Sequence, residues 1–285
     1  MRLLKIGNKN FDIGKQTIIM GTLNVTPDSF SDGGKFFSID SAVNHAIVME
    51  KEGADIIDIG GESTRPGAKS VSLDEEINRV IPVLEELVKK IKVPISIDTY
   101  KSKIAKKALE IGANMINDIT ALQGDKLLAS IVADYEVPIC LMHMKGSPRN
   151  MQINPVYDDI VKEIISFLKK RAYYAISCNI KKENIIIDPG LGFGKRTGKG
   201  IEDNCEILKR LAELKKLGYP ILVGASRKTF IGNICGAEKT LPVNERLEGS
   251  LAAACIAVAN GADIIRVHDV KETRRCFDII DCIVR

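Results

Sequence analysis

Apolar positions run along this chain in two rhythms. Short, dense runs lie at residues 18–25, 55–59, 93–97, 114–116, 137–142, 184–187, 221–223 and 264–267, the pattern of strands buried on both faces. Between most of them apolar residues recur every three or four positions, the spacing of helices with one buried stripe. The clearest case opens on Ser72 and Glu75 as a capping box and continues through Ile77, Val80, Ile81, Leu84, Leu87, Val88 and Ile91. Further helices are predicted near 41–52, 103–111, 125–134, 158–178, 205–217, 245–260 and 271–283. Such alternation demands parallel pairing with right-handed crossovers, and eight repeats predict closure into an α/β (β/α)₈ TIM barrel. The other parallel arrangement, an open doubly wound sheet, would gather its chemistry near one switch point instead.

Punctuation supports this layout. Pro94, Pro138 and Pro220 stand just before strands, where they end the preceding helix without costing a ladder donor. Gly53-Ala54-Asp55, Gly112-Ala113-Asn114 and Gly261-Ala262-Asp263 each close a helix and open a strand, a weak repeat that shared loop chemistry suffices to explain. Residues 3–16 alternate around Gly7-Asn8 and predict a short N-terminal hairpin, expected to plug the barrel end opposite the active site. No linker or composition break interrupts the chain. Residues 1–285 are expected to form one domain, with 1–16 as its hairpin leader.

Nearly every apolar run ends in polar groups: Asn24 and Asp28; Gly60-Gly61-Glu62-Ser63-Thr64-Arg65; Asp98; Asn117 and Asp118; His143; Asp188; Ser226-Arg227-Lys228; Arg266 and His268. In a barrel these tips meet on the C-terminal face, which predicts one active site assembled from the whole sequence. Residues 20–34 lead a strand into a hydroxyl-, carboxylate- and glycine-bearing loop, suited either to a lid or to a plain capped turn. The Gly60–Gly67 segment offers bare amides, hydroxyls and the Arg65 guanidinium, a set that fits a phosphate. Asp98 and Asp188 read as buried carboxylates awaiting donors, or as caps of the following helices. Gly190-Leu191-Gly192-Phe193-Gly194-Lys195 matches neither nucleotide-loop pattern. Gly224-Ala225-Ser226-Arg227-Lys228-Thr229, with amides and two cations at a helix start, suits an anion.

Composition narrows the partners. Lys and Arg exceed Asp and Glu by only 41 to 37, a net charge of +4 that is dispersed over helix faces, so no nucleic-acid partner is expected. The longest apolar stretch, 251–259, is about half of what a membrane span needs. Seven cysteines without a C-x-x-C pair point to reduced thiols and a cytoplasmic location. Three histidines are too few for a closed zinc site, and the many carboxylates favour a hard, oxygen-bound cation, although no spacing defines a metal.

The motifs NVTPDSFSDGG, GADIIDIGGESTRPGA, ISIDTYK, MINDI, LMHMKGSPRNMQ, IIDPGLGFGK, LVGASRKTFIG, ERLEGSLAA and RVHDV follow one another between about Met20 and Val270. In this series the chain resembles the dihydropteroate synthase family. The resemblance implies a pterin-binding (β/α)₈ barrel that joins 6-hydroxymethyl-7,8-dihydropterin pyrophosphate to 4-aminobenzoate in folate biosynthesis. It implies a dissociative reaction, in which the C–O bond breaks first and pyrophosphate departs. By the same resemblance Asp98, Asn117, Asp188 and Lys228 look like the pterin pocket, with Arg266 stacking on the ring. Asn24 is similar to the family's Mg²⁺ ligand, and Asn24, Arg65, Arg266 and His268 to its pyrophosphate site. Asp98, Lys228, Arg266 and His268 are the implied catalytic set. Thr26, Phe30, Thr64, Pro66, Phe193 and Thr229 would complete the 4-aminobenzoate site, whose carboxylate meets the helix start after Lys228. A homodimer through the last helices and inhibition by sulfonamides belong to the same implication. Two positions depart from the common pattern: Thr229 is often Ser, and Asp203 is often His. Two other readings share part of the series. A methyltetrahydrofolate:corrinoid methyltransferase would use Asp98, Asn117 and Asp188 without a pyrophosphate lid or Ser226-Arg227-Lys228. A silent pterin-binding paralogue should lack Asn24, Arg65 or Lys228, and all three are present.

Overall fold

The computed structural model describes residues 2–26, 39–63, 67–68, 70–198, 201–236 and 239–285. Eight parallel strands form its centre: β3 (Ile18–Asn24), β4 (Ile56–Gly60), β5 (Ile95–Asp98), β6 (Met115–Asp118), β7 (Ile139–Met142), β8 (Ile185–Asp188), β11 (Leu222–Val223) and β12 (Ile264–Val267). Their order is β11-β12-β3-β4-β5-β6-β7-β8, and an Ile187–Ile221 bridge joins the two ends into a nearly closed barrel. A hairpin of β1 (Leu3–Ile6) and β2 (Lys9–Asp12) precedes it, and a small one of β9 (Thr197–Gly198) and β10 (Ile201–Glu202) follows β8. Around the barrel lie α1 (Ile39–Lys51), α2 (Leu73–Lys90), α3 (Ser102–Ile111), α4 (Leu128–Tyr135), α5 (Ile160–Ser177), α6 (Asp203–Lys209), α7 (Thr229–Cys235), α8 (Leu247–Ala259) and α9 (Val270–Val284).

Strand parity divides the core into two layers. Outward residues such as Ile19, Ile57, Ile97, Ile116, Leu141, Ile187 and Ile265 pack against the helices. Inward residues Ile18, Met20, Ile56, Met115, Cys140, Ile186, Leu222 and Ile264 form an apolar floor with Leu4, Ile6, Phe11 and Ile13 of the hairpin. The leader therefore plugs the N-terminal end, as its alternation implied. Arg285 seals that end further, donating to Ile13 O at 2.5 Å and Ala262 O at 2.7 Å.

The Gly-Ala-Asp/Asn repeat has a local cause. Gly53, Gly112 and Gly261 adopt φ of +102°, +131° and +105°, a region that favours glycine. The third residue then pairs with the start of the preceding strand in space. Asp55 Oδ2 accepts from Ile19 N, Asn114 Oδ1 from Ile95 N, and Asp263 Oδ2 from Ile221 N, at 2.8, 3.0 and 3.0 Å. Their own amides donate back to the carbonyls of Ile19, Ile95 and Ile221. Loop chemistry alone accounts for the repeat.

Three expectations differ in detail. The 205–217 helix splits into α6 and a tighter 3₁₀ segment, Leu211–Leu217. Half of the capping box forms: Ser72 Oγ accepts from Glu75 N at 3.2 Å, while Glu75 turns to Arg79. The helix read at 125–134 begins later, at Leu128, because Asp125 uses its carboxylate to cap Ser102 N and Leu127 N.

Because the plug lies far from the strand tips, replacing Phe11 with Ala should cost about 3–5 kcal/mol in denaturant unfolding with little change in steady-state rates. Lost activity at unchanged stability would contradict this division of the barrel.

Candidate active site

Above the apolar floor the inward positions become polar. Thr22 and Asn24 on β3, Asp58 on β4, Ser96 and Asp98 on β5, Asn117 on β6, Asp188 on β8 and Arg266 on β12 share the parity of the floor residues. Arg266 reaches over β3 to two neighbouring strands. Its Nε donates to Asp58 Oδ2 at 2.6 Å and its Nη2 to Asp98 Oδ2 at 3.0 Å. Asp58 Oδ2 also accepts from Asn117 Nδ2 at 3.1 Å, which leaves the Asn117 carboxamide oxygen for another donor. Gly60 lies at the same mouth, where a Cβ would stand in ordinary contact, 3.5 Å from Asp98 Cβ and 3.8 Å from Asn24 Oδ1.

Burial sets the electrostatics. It pushes the Asp98 carboxyl up to about 7, against the pull of Arg266 and with the repulsion of Asp58. Burial lowers Lys228 to about 8, although Asp188 and Asp98 favour its charge. Asp188 is raised by burial too, with Lys228 and the Gly190 amide opposing; that amide donates to Asp188 Oδ1 at 2.6 Å. The pocket thus holds acids and bases whose charges are held near neutral pH, a property of sites built to meet a polar ligand.

The surrounding positions fall in place unevenly. Lys228 Nζ lies 4.4 Å from the centroid of the Phe193 ring and donates to Leu191 O. His268 is tied to Ser226, whose Oγ stands 3.0 Å from its Nδ1 and accepts from its backbone N–H. Of the two cations before α7, only Lys228 faces the barrel. Arg227 is paired with Asp269. Thr229 opens α7 on the exposed side, and Thr26 is half-buried just beyond β3. Phe30, Thr64, Arg65 and Pro66 lie outside the described residues, as does the Asp28 tip. A separate cavity of about 340 Å³ lies against Ile119 and Met142 and is lined also by Glu62, Tyr100, Arg149 and Phe167, but by none of the polar groups around Arg266.

Asp58 is the residue the sequence reading missed. It is fully buried, and the signal was its parity with Gly60 between outward Ile57 and Ile59. His143 is explained differently. Its Nδ1 stands 3.0 Å from Lys195 Nζ, and that fully buried amine also donates to Gly190 O and Phe193 O at 2.8 and 2.9 Å. Burial and Lys195 hold the imidazole down at about 2. The glycine-rich lysine therefore fastens its own loop rather than facing a phosphate. Asp203, at the position often His, accepts from Arg196 N and from its guanidinium, closing the β9–β10 hairpin.

No three His, Cys, Asp or Glu side chains gather as a metal cage among the described residues. Asn24, half-buried at the end of β3, offers a neutral hard oxygen. One such oxygen could serve a Mg²⁺ ion only if water and phosphate oxygens filled the rest of its shell.

Fold and pocket define the class: a barrel enzyme with a carboxylate, carboxamide and lysine pocket at its strand C-termini. A family model described as "Pterin binding enzyme" matches residues 20–268. The dihydropteroate synthase of Clostridium beijerinckii is 49% identical over 283 residues, covering 99% of this chain and 100% of that protein. A Yersinia pestis dihydropteroate synthase structure with a sulfonamide drug complex superposes with TM-score 0.91 at 42% identity, covering 99% of each chain. A Xanthomonas albilineans dihydropteroate synthase in complex with 7,8-dihydropteroate gives TM-score 0.86 at 39% identity, covering 99% and 98%. The chain belongs to the dihydropteroate synthase family of pterin-binding enzymes.

The ring of polar side chains that Asp58, Asp98, Asn117 and Arg266 form makes a stability prediction at pH 8. Replacing Asp58 with Ala removes an acceptor from both Arg266 and Asn117 and should cost about 3–5 kcal/mol in urea unfolding. Asp98→Ala should cost clearly less, since burial already disfavours the Asp98 charge. Equal losses would show that Asp58 does not hold the ring.

Proposed function

We infer that the chain is a transferase of folate biosynthesis, joining 6-hydroxymethyl-7,8-dihydropterin pyrophosphate to 4-aminobenzoate with release of pyrophosphate. The observation that carries this reading is the ring of Asp98, Asn117, Asp188 and Arg266 on the shared inward face of the strand tips, joined by Lys228 from the start of α7. Its acceptors suit the adjacent N–H groups of a pterin, and the Lys228 ammonium suits the ring oxygen and nitrogen. Arg266 covers the ring face while its edge stays on Asp58. Such an arrangement favours one heterocycle because the Asn117 carboxamide oxygen and the remaining carboxylate lone pairs would lack donors beside a mismatched ring.

In the reaction the methylene C–O bond breaks, and its electron pair leaves with pyrophosphate. The 4-aminobenzoate nitrogen then forms the new C–N bond and gives up one proton. Arg65, Arg266 and His268 stabilise the departing charge in a site shielded from water, which is the largest expected contribution to the rate. Ser226 keeps the His268 ring turned toward that role. Asn24 would hold Mg²⁺, which supplies charge neutralisation on the pyrophosphate when bound. Thr26, Phe30, Thr64, Pro66, Phe193 and Thr229 frame the second substrate, and sulfonamides would compete there. The pairing of Lys228 with the Phe193 ring supports a shared wall between the two substrates.

Exposed Ile256 on α8 and Ile279 and Ile283 on α9 support a homodimer through the last helices. Seven cysteines free of disulfides support a reducing, cytoplasmic setting. No helix among the described residues is long and apolar enough to cross a membrane.

Two measurements follow. Pyrophosphate release should require the pterin substrate, be sustained by 4-aminobenzoate and be lost in EDTA; an undiminished rate in EDTA would remove the metal from the account. The pH profile of kcat/KM for the pterin should be bell-shaped. Below about 7 the raised Asp98 is protonated, losing its charge and presenting an O–H donor to the pterin N–H groups, and above about 8 the lowered Lys228 loses its charge. A flat profile between pH 5 and 9 would overturn the assignment of these two groups.

A further inference from the structure

One amine outside the pocket holds three separate pieces of chain. Lys101, just before α3, donates from Nζ to Glu62 Oε2 at 2.6 Å, to Val71 O at 2.7 Å and to Glu76 Oε2. An ammonium has three donors, and all three are used. Glu62 and Val71 are the two ends of the stretch that follows β4. Glu76 belongs to the start of α2, is 1% exposed, and takes a further hydrogen bond from Thr99 Oγ1 at 2.8 Å. Arg79 adds a bond to Gly61 O at 2.8 Å beside the first end. Farther along, Gly67 N donates to Pro148 O at 3.1 Å, and Arg149 Nη2 to Ser70 Oγ at 2.9 Å.

The charges are arranged so that no piece can be exchanged cheaply. Glu76 is sunk in the protein and needs a cation, and among the described residues the Lys101 side chain, only 15% exposed, is the cation paired with it. Once there, the ammonium draws both ends of the stretch onto the same point. Thr64, Arg65 and Pro66 lie between those ends in sequence. None of the groups tied by Lys101 belongs to the ring of Asp98, Asn117, Asp188, Lys228 and Arg266.

We propose that Lys101 is a positioning residue for the second substrate: its ammonium fixes both ends of the 62–71 stretch to the base of α2, and so governs 4-aminobenzoate and pyrophosphate contacts without governing pterin binding. The inference rests on the reading that Thr64, Arg65 and Pro66 serve those two ligands.

The test compares the full-length protein with Lys101→Met, Lys101→Arg, the neutral pair Lys101→Met/Glu76→Gln, and Arg65→Ala. Steady-state kinetics with 4-aminobenzoate varied at saturating pterin substrate are read beside pterin affinity by calorimetry. Lys101→Met should raise the 4-aminobenzoate KM about tenfold or more, the scale of a small misplacement of contact groups, with pterin affinity within about twofold of wild type. Lys101→Arg, which can still donate to both carboxylates, should recover most of the loss. If Lys101→Met fails to fold because Glu76 is left buried and charged, the double variant relieves that charge and should show the same KM effect. A wild-type KM in the folded variants, or equal losses in both substrates, overturns the proposal. An Arg65→Ala protein with wild-type kinetics would instead sink the reading of the stretch itself, and an impaired Arg65→Ala beside an unaffected Lys101 variant would sink the clamp alone.

Discussion

The guanidinium of Arg266, suspended between Asp58 and Asp98, is the interaction on which the rest of the architecture depends. A cation at the mouth of a barrel is tolerable only if acceptors reach it from neighbouring strands, and β4 and β5 supply one each. That requirement fixes strand parity, because a one-residue slip would turn Asp58 and Asp98 into the helical layer. The apolar floor and hairpin plug beneath keep the local dielectric low, so the pairs are strong and unpaired charges are costly. Asp98 and Lys228 are consequently held close to losing their charges. A ligand that brings its own donors and acceptors relieves that tension.

Much of this was legible along the chain. The eight strands were readable because parallel strands buried on both faces leave nearly continuous apolar runs, and their polar tips named Asp98, Asn117, Asp188 and Arg266 directly. Asp58 was hidden inside its run, since only barrel parity tells an inward carboxylate from a strand-end cap such as Asp55. The pairing of His143 with Lys195 depends on contact between the β7 and β8 tips, which no local pattern encodes. Two-residue strands such as β9 and β10 are too short to leave a periodic signal. The chemistry itself came from the motif series; spacing alone left Asp98 and Asp188 balanced between capping and catalysis.

The strand tips and the loops divide the work differently. Groups proposed to recognise the heterocycle, apart from Lys228 at the start of α7, sit on strands, where the ladder fixes them. Groups assigned to pyrophosphate and 4-aminobenzoate come largely from loops. Those loops are fastened by lysines, the loop after β8 by the buried Lys195 of its own segment and the loop after β4 by the half-buried Lys101 that follows β5. A lysine suits this role because its three donors can gather carbonyls and carboxylates from separate segments at one point.

The central claim, that the inward ring is a pterin pocket, is tested most directly by calorimetry of pterin substrate binding to the wild type and to Asp188→Ala. Loss of a charge-assisted hydrogen bond in this setting should weaken binding by about 2–3 kcal/mol, roughly 30- to 150-fold, with circular dichroism unchanged. Unaltered affinity in a folded Asp188→Ala protein would contradict the account.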